Sequence, residues 1–335
     1  MRNINVLLGF CCLLFEGACA SDPPSSPTPV PAEQGFTLSG TVVDSRLSAI
    51  PIAGASVRAA RGTAAQTNAD GIYELRGLSG EVTVTAWGPH HSAASQSVTL
   101  DRDRTLDFSL EHTGVPPFDG TAYISPDVID SSDPTALRDV AYAGRGERGI
   151  YDARVDTVVR INAYLFDVRY AWGSMEFQVN PEFGSRAAAR AEVDRFAPAL
   201  GRVPTFMMAG AETAEISAGD ERFAGGSGTF TIHTGRGQVL VSGGYLEEVF
   251  FHEAAHVTLD HLHSGTPAWV AAQEADGVFI STYARDYPRG EDVAESSLAW
   301  FAARRRAERL AEADRAAILA SIPSRLTYFD ERLPR

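Results

Sequence analysis

Lysine is absent from this 335-residue chain, so its 29 basic residues are all arginine, set against 43 acidic ones for a net charge of −14. A chain that grips nucleic acid neutralises phosphates with clustered basic side chains. The acidic balance excludes that class, and the one basic run, Arg304-Arg305-Arg306, reads as the solvated face of a helix. Cysteine is confined to Cys11, Cys12 and Cys19 near the N-terminus. Everything after them can have no disulfide, thiolate metal site or cysteine nucleophile, so any chemistry falls to His, Glu, Asp, Tyr or Ser. Long apolar runs are missing too: Val6 to Phe15 is apolar but too short to cross a bilayer as a helix.

That short run has a different reading. Arg2 stands before it and Ala18-Cys19-Ala20 after it, the pattern of a secretory signal peptide over residues 1–20. The same residues allow a bacterial lipoprotein signal with Cys19 as the lipidated residue, which would be the chain's one tie to a membrane. The expectation is an exported protein, secreted or periplasmic, alternatively a cell-surface lipoprotein. Residues 21–34 (SDPPSSPTPVPAEQ) are Pro/Ser-rich and read as an extended linker.

Residues 35–113 read as all-β. Phe36 to Asp44, Ile72 to Leu75, Glu81 to Ala86 and Thr105 to Leu110 carry strand patterns, and Asn68-Ala69-Asp70-Gly71 and Gly77-Leu78-Ser79-Gly80 are turn signals. Short strands with regular turns predict a small β-sandwich. Gly40-Thr41-Val42-Val43-Asp44, Pro51-Ile52-Ala53-Gly54-Ala55, Asp70-Gly71-Ile72-Tyr73 and Leu75-Arg76-Gly77-Leu78 resemble the carboxypeptidase regulatory-like (transthyretin-like) domain. The resemblance implies a stabilising or interaction module without catalysis of its own. His90 and His91 are expected on an exposed loop there.

From residue 117 to 335 the pattern is mixed and predicts an α+β domain. Leu165 to Tyr170 and Met175 to Asn180 read as strands, and Arg186 to Leu200 as a helix. Thr229 to His233 and Gln238 to Val241 flank Thr234-Gly235-Arg236-Gly237, which reads as a hairpin turn, with Thr229 to His233 a candidate for holding an extended peptide by strand addition. His233 is a candidate for lining a cleft. Tyr245 to Leu259 and Asp292 to Leu310 read as helices, and Trp269, Trp300 and Phe301 as core.

The chemistry concentrates at His252-Glu253-Ala254-Ala255-His256. On a helix, residues four apart share a face one turn apart, so both imidazoles can reach one Zn²⁺ while Glu253 reaches a water beside it. A hydrolytic site needs a third protein ligand and an open position. Leu259 and Leu262 stand where a metzincin has Gly and His, and Ala268 where an aspzincin has Asp. His261 is near in sequence, as is His263, but on a continuing helix His263 lies about 10 Å beyond His256. The carboxylates Glu274, Glu291 and Glu295 remain.

Tyr283-Ala284-Arg285 followed by Glu291-Asp292-Val293-Ala294-Glu295 is similar to the lethal-factor-type gluzincins, whose third ligand lies in a Glu-x-x-Ala-Glu element after a catalytic Tyr. The resemblance implies a zincin-like metallopeptidase domain with one Zn²⁺ on His252, His256 and Glu291, Tyr283 as transition-state donor, and Glu295 beside the ligands or, like Glu274, an alternative ligand. The expected whole is multidomain, a small all-β sandwich followed by an α+β zincin-like metallopeptidase domain. The expected activity is that of an exported zinc metalloendopeptidase acting on a peptide or protein substrate through a metal-activated water, with Glu253 as general base. The competing reading is a non-enzymatic surface binding protein whose zinc site is structural or degenerate.

Overall fold

The computed structural model describes residues 35–45, 51–60, 62–88 and 91–334. The signal, linker and three cysteines expected over residues 1–34 lie outside the described residues, as does His90.

Eight short strands form the N-terminal part: β1 (Phe36–Asp44), β2 (Ser56–Ala59), β3 (Ala64–Gln66), β4 (Ile72–Leu78), β5 (Gly80–Trp87), β6 (Ala94–Leu100), β7 (Arg104–Thr105) and β8 (Phe108–Leu110). One sheet runs β4-β1-β7 with β8 also paired to β1, and the other β3-β2-β5-β6. Alternation explains the layers. Along β5 Val82, Val84 and Ala86 are buried while Thr83 stays exposed, as period-2 geometry requires. These side chains meet Leu38, Val42, Tyr73 and Phe108 from the other sheet in one apolar cluster. The predicted Asn68–Gly71 turn forms through Asn68 Oδ1, which accepts from the amides of Asp70 (3.0 Å) and Ile72 (2.9 Å). His91 departs from the exposed loop predicted for it. It is buried and its Nε2 lies 3.1 Å from Asp44 Oδ2, because a strand-end carboxylate that sequence does not place beside it needs a partner once buried.

The second part has its own apolar cluster. Its strands are β9 (Leu137–Asp152), β10 (Thr157–Tyr170), β11 (Gly173–Val179), β12 (Thr213–Ser217), β13 (Ala224–Gly226) and β14 (Thr229–His233). They form a six-stranded mixed sheet in the order β13-β14-β12-β11-β10-β9. Its helices are α1 (Arg186–Leu200), α2 (Thr234–Gly243), α3 (Leu246–Thr258), α4 (Asp260–His263), α5 (Pro267–Asp276), α6 (Thr282–Asp286), α7 (Asp292–Arg305), α8 (Glu312–Ser321) and α9 (Pro323–Arg332). α1 begins where Ser185 caps the Ala188 amide. Phe196 of α1, Phe230 of β14 and Phe250 of α3 pack edge to face, which seats α3 on the sheet. Trp269, Trp300 and Phe301 are core, as predicted.

The hairpin expected around Thr234–Gly237 is not there. That segment opens α2, and Gly237 lies so close to the Phe196 ring that a Cβ would sit 2.6 Å from it. β14 pairs instead with the preceding strand β13. The turn between them is Ser227-Gly228, both with positive φ (47° and 80°), the backbone that a two-residue hairpin matched to strand twist requires. β13, not β14, is therefore the sheet edge along residues 229–231, which have strand neighbours on both sides. No helix among the described residues is long and apolar enough to cross a membrane.

Candidate metal centre

α3 is buried on nearly every side, and one face carries Glu248, His252 and His256 at successive turns. α7 packs across it with Glu291 at its N-cap and Glu295 one turn on. The packing brings His252, His256 and Glu291 together as a group of three possible metal ligands, with all ligand atoms within 4.8 Å of one another. His252 Nε2 and His256 Nε2 are 3.1 Å apart, and each lies 3.3 Å from Glu291 Oε2. A tetrahedral ion with donors at about 2.0–2.2 Å has donor–donor edges of about 3.3–3.6 Å, so the spacing suits such an ion.

The surroundings argue the same way. His256 Nδ1 lies 2.7 Å from Asp260 Oδ2, and His252 Nδ1 3.4 Å from Glu295 Oε1. The Asp260 bond assigns the His256 ring proton to Nδ1 and leaves its Nε2 lone pair directed at His252 Nε2 and Glu291 Oε2, whereas His252 Nδ1 faces Glu295 without a hydrogen bond. Three ligand atoms within reach of one point could hold a metal ion. Without one they take up protons. Burial pulls His256 down, but Asp260 and Glu291 outweigh it and leave the ring up at about 10. His252 is likewise raised against the pull of burial by Glu291 and Glu295. Burial would raise Glu291, yet the two imidazoles hold it well below the usual carboxylate range.

Glu253 and Tyr283 line the same cleft, of about 600 Å³. Burial pushes the Glu253 carboxyl up, against the pull of the two neighbouring imidazoles. The Tyr283 hydroxyl donates to Glu291 Oε1 at 3.0 Å, and burial followed by Glu291 moves its pKa up to about 12, so it keeps its proton. Glu295 is fully buried, with Oε2 accepting from the Ala122 amide at 2.7 Å. Glu274 is exposed on α5 and takes no part in the group. His263 bonds the Tyr328 hydroxyl at 2.9 Å, and His233 is fully buried with Nδ1 3.2 Å from the Arg222 carbonyl, behind the cleft wall.

Sequence reasoning missed several participants. Asp260 and Glu248 continue the spacing of four from the two histidines, so the signal was present. Glu248, fully buried and pushed up to about 8 by burial, accepts from the amides of Ile124 and Ser125 at 3.1 Å each. Together with Glu295 it anchors residues 118–125, which follow the sandwich and form one wall of the cleft; Gly120 is further tied to Thr282 Oγ1 at 2.7 Å. The other wall is the edge strand β13. A Cβ on Gly225 would stand 2.1 Å from the Glu253 carbonyl oxygen, so only glycine lets the strand approach the helix this closely. Gly225→Val is expected to push β13 off α3 and destabilise the fold by about 1–3 kcal/mol, seen as a lower urea midpoint. Ala224→Val, at the exposed neighbour, is expected to leave the midpoint in place.

Comparison with known proteins supports the N-terminal part only. Residues 37–111 match the carboxypeptidase regulatory-like domain family. No curated protein matches the chain. Among solved structures, a cohesin–X-dockerin complex from Acetivibrio cellulolyticus is 20% identical, with 23% of this chain and 58% of that chain covered and a TM-score of 0.19. The TIE protein of Bacillus anthracis is 12% identical (41% and 28% covered, TM-score 0.20), and a DUF3823 family protein from Parabacteroides merdae 15% identical (44% and 81% covered, TM-score 0.20). The chain thus spans 58% of the first of these and 28% of the second.

Proposed function

We propose that this chain is an exported zinc-dependent peptidase that hydrolyses a peptide bond with water at the His252, His256 and Glu291 trio. The observation that carries the reading is the convergence, in one cleft, of three metal-ligand atoms with a buried carboxylate and a phenol. Zinc held there would polarise the scissile carbonyl and acidify a water. Glu253 takes the proton of the attacking water and passes it to the leaving amine; a carboxyl raised by burial suits a group that must both accept and release a proton. Tyr283 keeps an O–H donor beside the trio for the oxyanion. Asp260 holds the His256 ring in the orientation that presents Nε2. The unpaired side of β13 offers an extended peptide a strand to add to, next to Glu253. Export rests on the signal pattern of residues 1–20.

Metal content tests the reading. Purified wild-type protein is expected to carry about one zinc per chain by plasma mass spectrometry, and Glu291→Ala to lose it, because two neutral imidazoles alone bind zinc incompletely. Folded wild-type protein that was never exposed to chelator and holds no zinc would refute the proposal. The pH dependence has a definite sign. Both histidines are raised in the metal-free chain, His256 to about 10, so at neutral pH zinc must displace the proton of His256. Zinc affinity therefore rises with pH and binding releases protons. Titration of zinc into weakly buffered apoprotein checks this; affinity that stays flat from about pH 6 to 8 would count against the trio.

A further inference from the structure

Two arginines line the cleft alongside the trio, Arg222 just before β13 and Arg236 in the first turn of α2. Many arginines of this acid-rich chain pair with carboxylates, among them Arg148 with Glu176, Arg154 with Asp152 and Glu182, and Arg309 with Asp133, while others, such as Arg145 and Arg186, rest on a tyrosine ring instead. Among the described residues neither Arg222 nor Arg236 forms an ion pair with a carboxylate. Arg236 Nη2 donates to the Tyr123 hydroxyl at 3.1 Å, and the Arg222 guanidinium lies over the Tyr283 ring, 5.9 Å from its centroid. Each rests against a phenol that steers it and leaves its charge unanswered.

The acidic groups that line the cleft are already committed. Glu291 belongs to the trio, Glu253 faces it, and Glu248 is fully buried and spent on the Ile124 and Ser125 amides. Asp119, on the exposed rim, accepts from Thr282 Oγ1 at 3.0 Å. Arg222 is also fixed from behind, since the buried His233 ring meets its carbonyl. A planar guanidinium matches a carboxylate in two parallel hydrogen bonds.

We infer that the cleft selects peptides that present a carboxylate near the scissile bond, bound by Arg222 and Arg236. This rests on the peptidase reading and names its substrate class. A basic substrate residue would meet two like charges, and a neutral one would leave both guanidiniums without a carboxylate. The carboxylate is that of an Asp or Glu side chain or of the peptide C-terminus, and the experiment separates the two.

The test measures binding apart from turnover. Immobilised Glu253→Gln protein, with and without zinc, is exposed to decapeptide pools in which one position at a time is fixed as Glu, Gln or Arg, each made with a free and an amidated C-terminus. Pools with Glu fixed at a favoured position are expected to be retained about tenfold better than Gln pools, the gain of a charge-assisted pair at a partly solvated site. The Arg222→Gln/Arg236→Gln pair of changes should abolish that gain while the urea midpoint holds. A preference that survives amidation assigns the carboxylate to a side chain. A dependence on the free terminus alone, lost with the same two arginines, assigns it to the C-terminus. Equal retention of Glu and Gln pools whatever the terminus, no retention of any pool, or a preference unchanged by the double replacement overturns the inference. Failure of the peptidase reading looks different: wild-type protein loaded with zinc would bind pools and cleave none.

Discussion

Glu253→Gln is expected to lower kcat by about 10²–10⁴ and to leave zinc bound. The side chain is buried on α3 between two metal-ligand positions, and burial pushes its carboxyl up, so it can hold a proton between the attack of water and the departure of the amine. Glutamine keeps the shape and removes the proton acceptor. It takes nothing from the trio, whose ligand atoms belong to His252, His256 and Glu291. The measurement pairs peptide cleavage rate with zinc content on the same preparation. A variant that cleaves at the wild-type rate would remove Glu253 from the mechanism, and a variant that loses its zinc would make it a structural residue of the site.

Arg325→Met is expected to destabilise the protein by about 3–5 kcal/mol, since it leaves buried charge without its partner. Arg325 is fully buried on α9. Its Nε lies 2.9 Å from Asp292 Oδ2, and its Nη1 3.2 Å from Asp276 Oδ2 and 2.8 Å from the Val278 carbonyl. One guanidinium thereby ties α9 to α5 and to the first residue of α7, immediately after Glu291. Burial raises both Asp276 and Asp292 even with the arginine present. A carboxyl raised in the folded state favours folding below its unfolded pKa, and that contribution is lost as pH rises through the folded pKa. Removing the cation raises both further. The deficit of Arg325→Met should therefore be largest near neutral pH and shrink toward about pH 4–5, where the two carboxyls take up protons. Urea denaturation at both pH values reads this. An equal deficit at each would mean that lost packing, not unpaired charge, sets the cost.

The parts legible from sequence are those written in local periodicity. His252 and His256, four apart, had to share a face of whatever helix contained them, and the helix from residue 246 to 258 does present them so. The same spacing carried Glu248 and Asp260, yet reading stopped at the motif, although a ring nitrogen needs a partner behind it as much as a ligand site in front. The Asn68–Gly71 turn and the strands of the sandwich were legible for a like reason: each is a bargain between near neighbours. The hairpin error was also local. A Gly-rich stretch permits a turn without requiring one, and the hairpin forms instead at the two-residue turn Ser227-Gly228, between β13 and β14.

Sequence by itself determined the period, the polarity and the chemistry available: no cysteine after residue 19, no lysine, two histidines on one helical face with a glutamate next to the first. Tertiary structure decided which distant groups completed them. It set Glu291 rather than the exposed Glu274 against the histidines, pressed Gly225 onto the Glu253 backbone, laid residues 118–125 across the cleft and buried Arg325 between two aspartates. Backbone geometry fixes a residue's relation to its neighbours within a turn or a strand pair. The approach of elements tens of residues apart follows only from how whole faces pack, and no single segment carries that information.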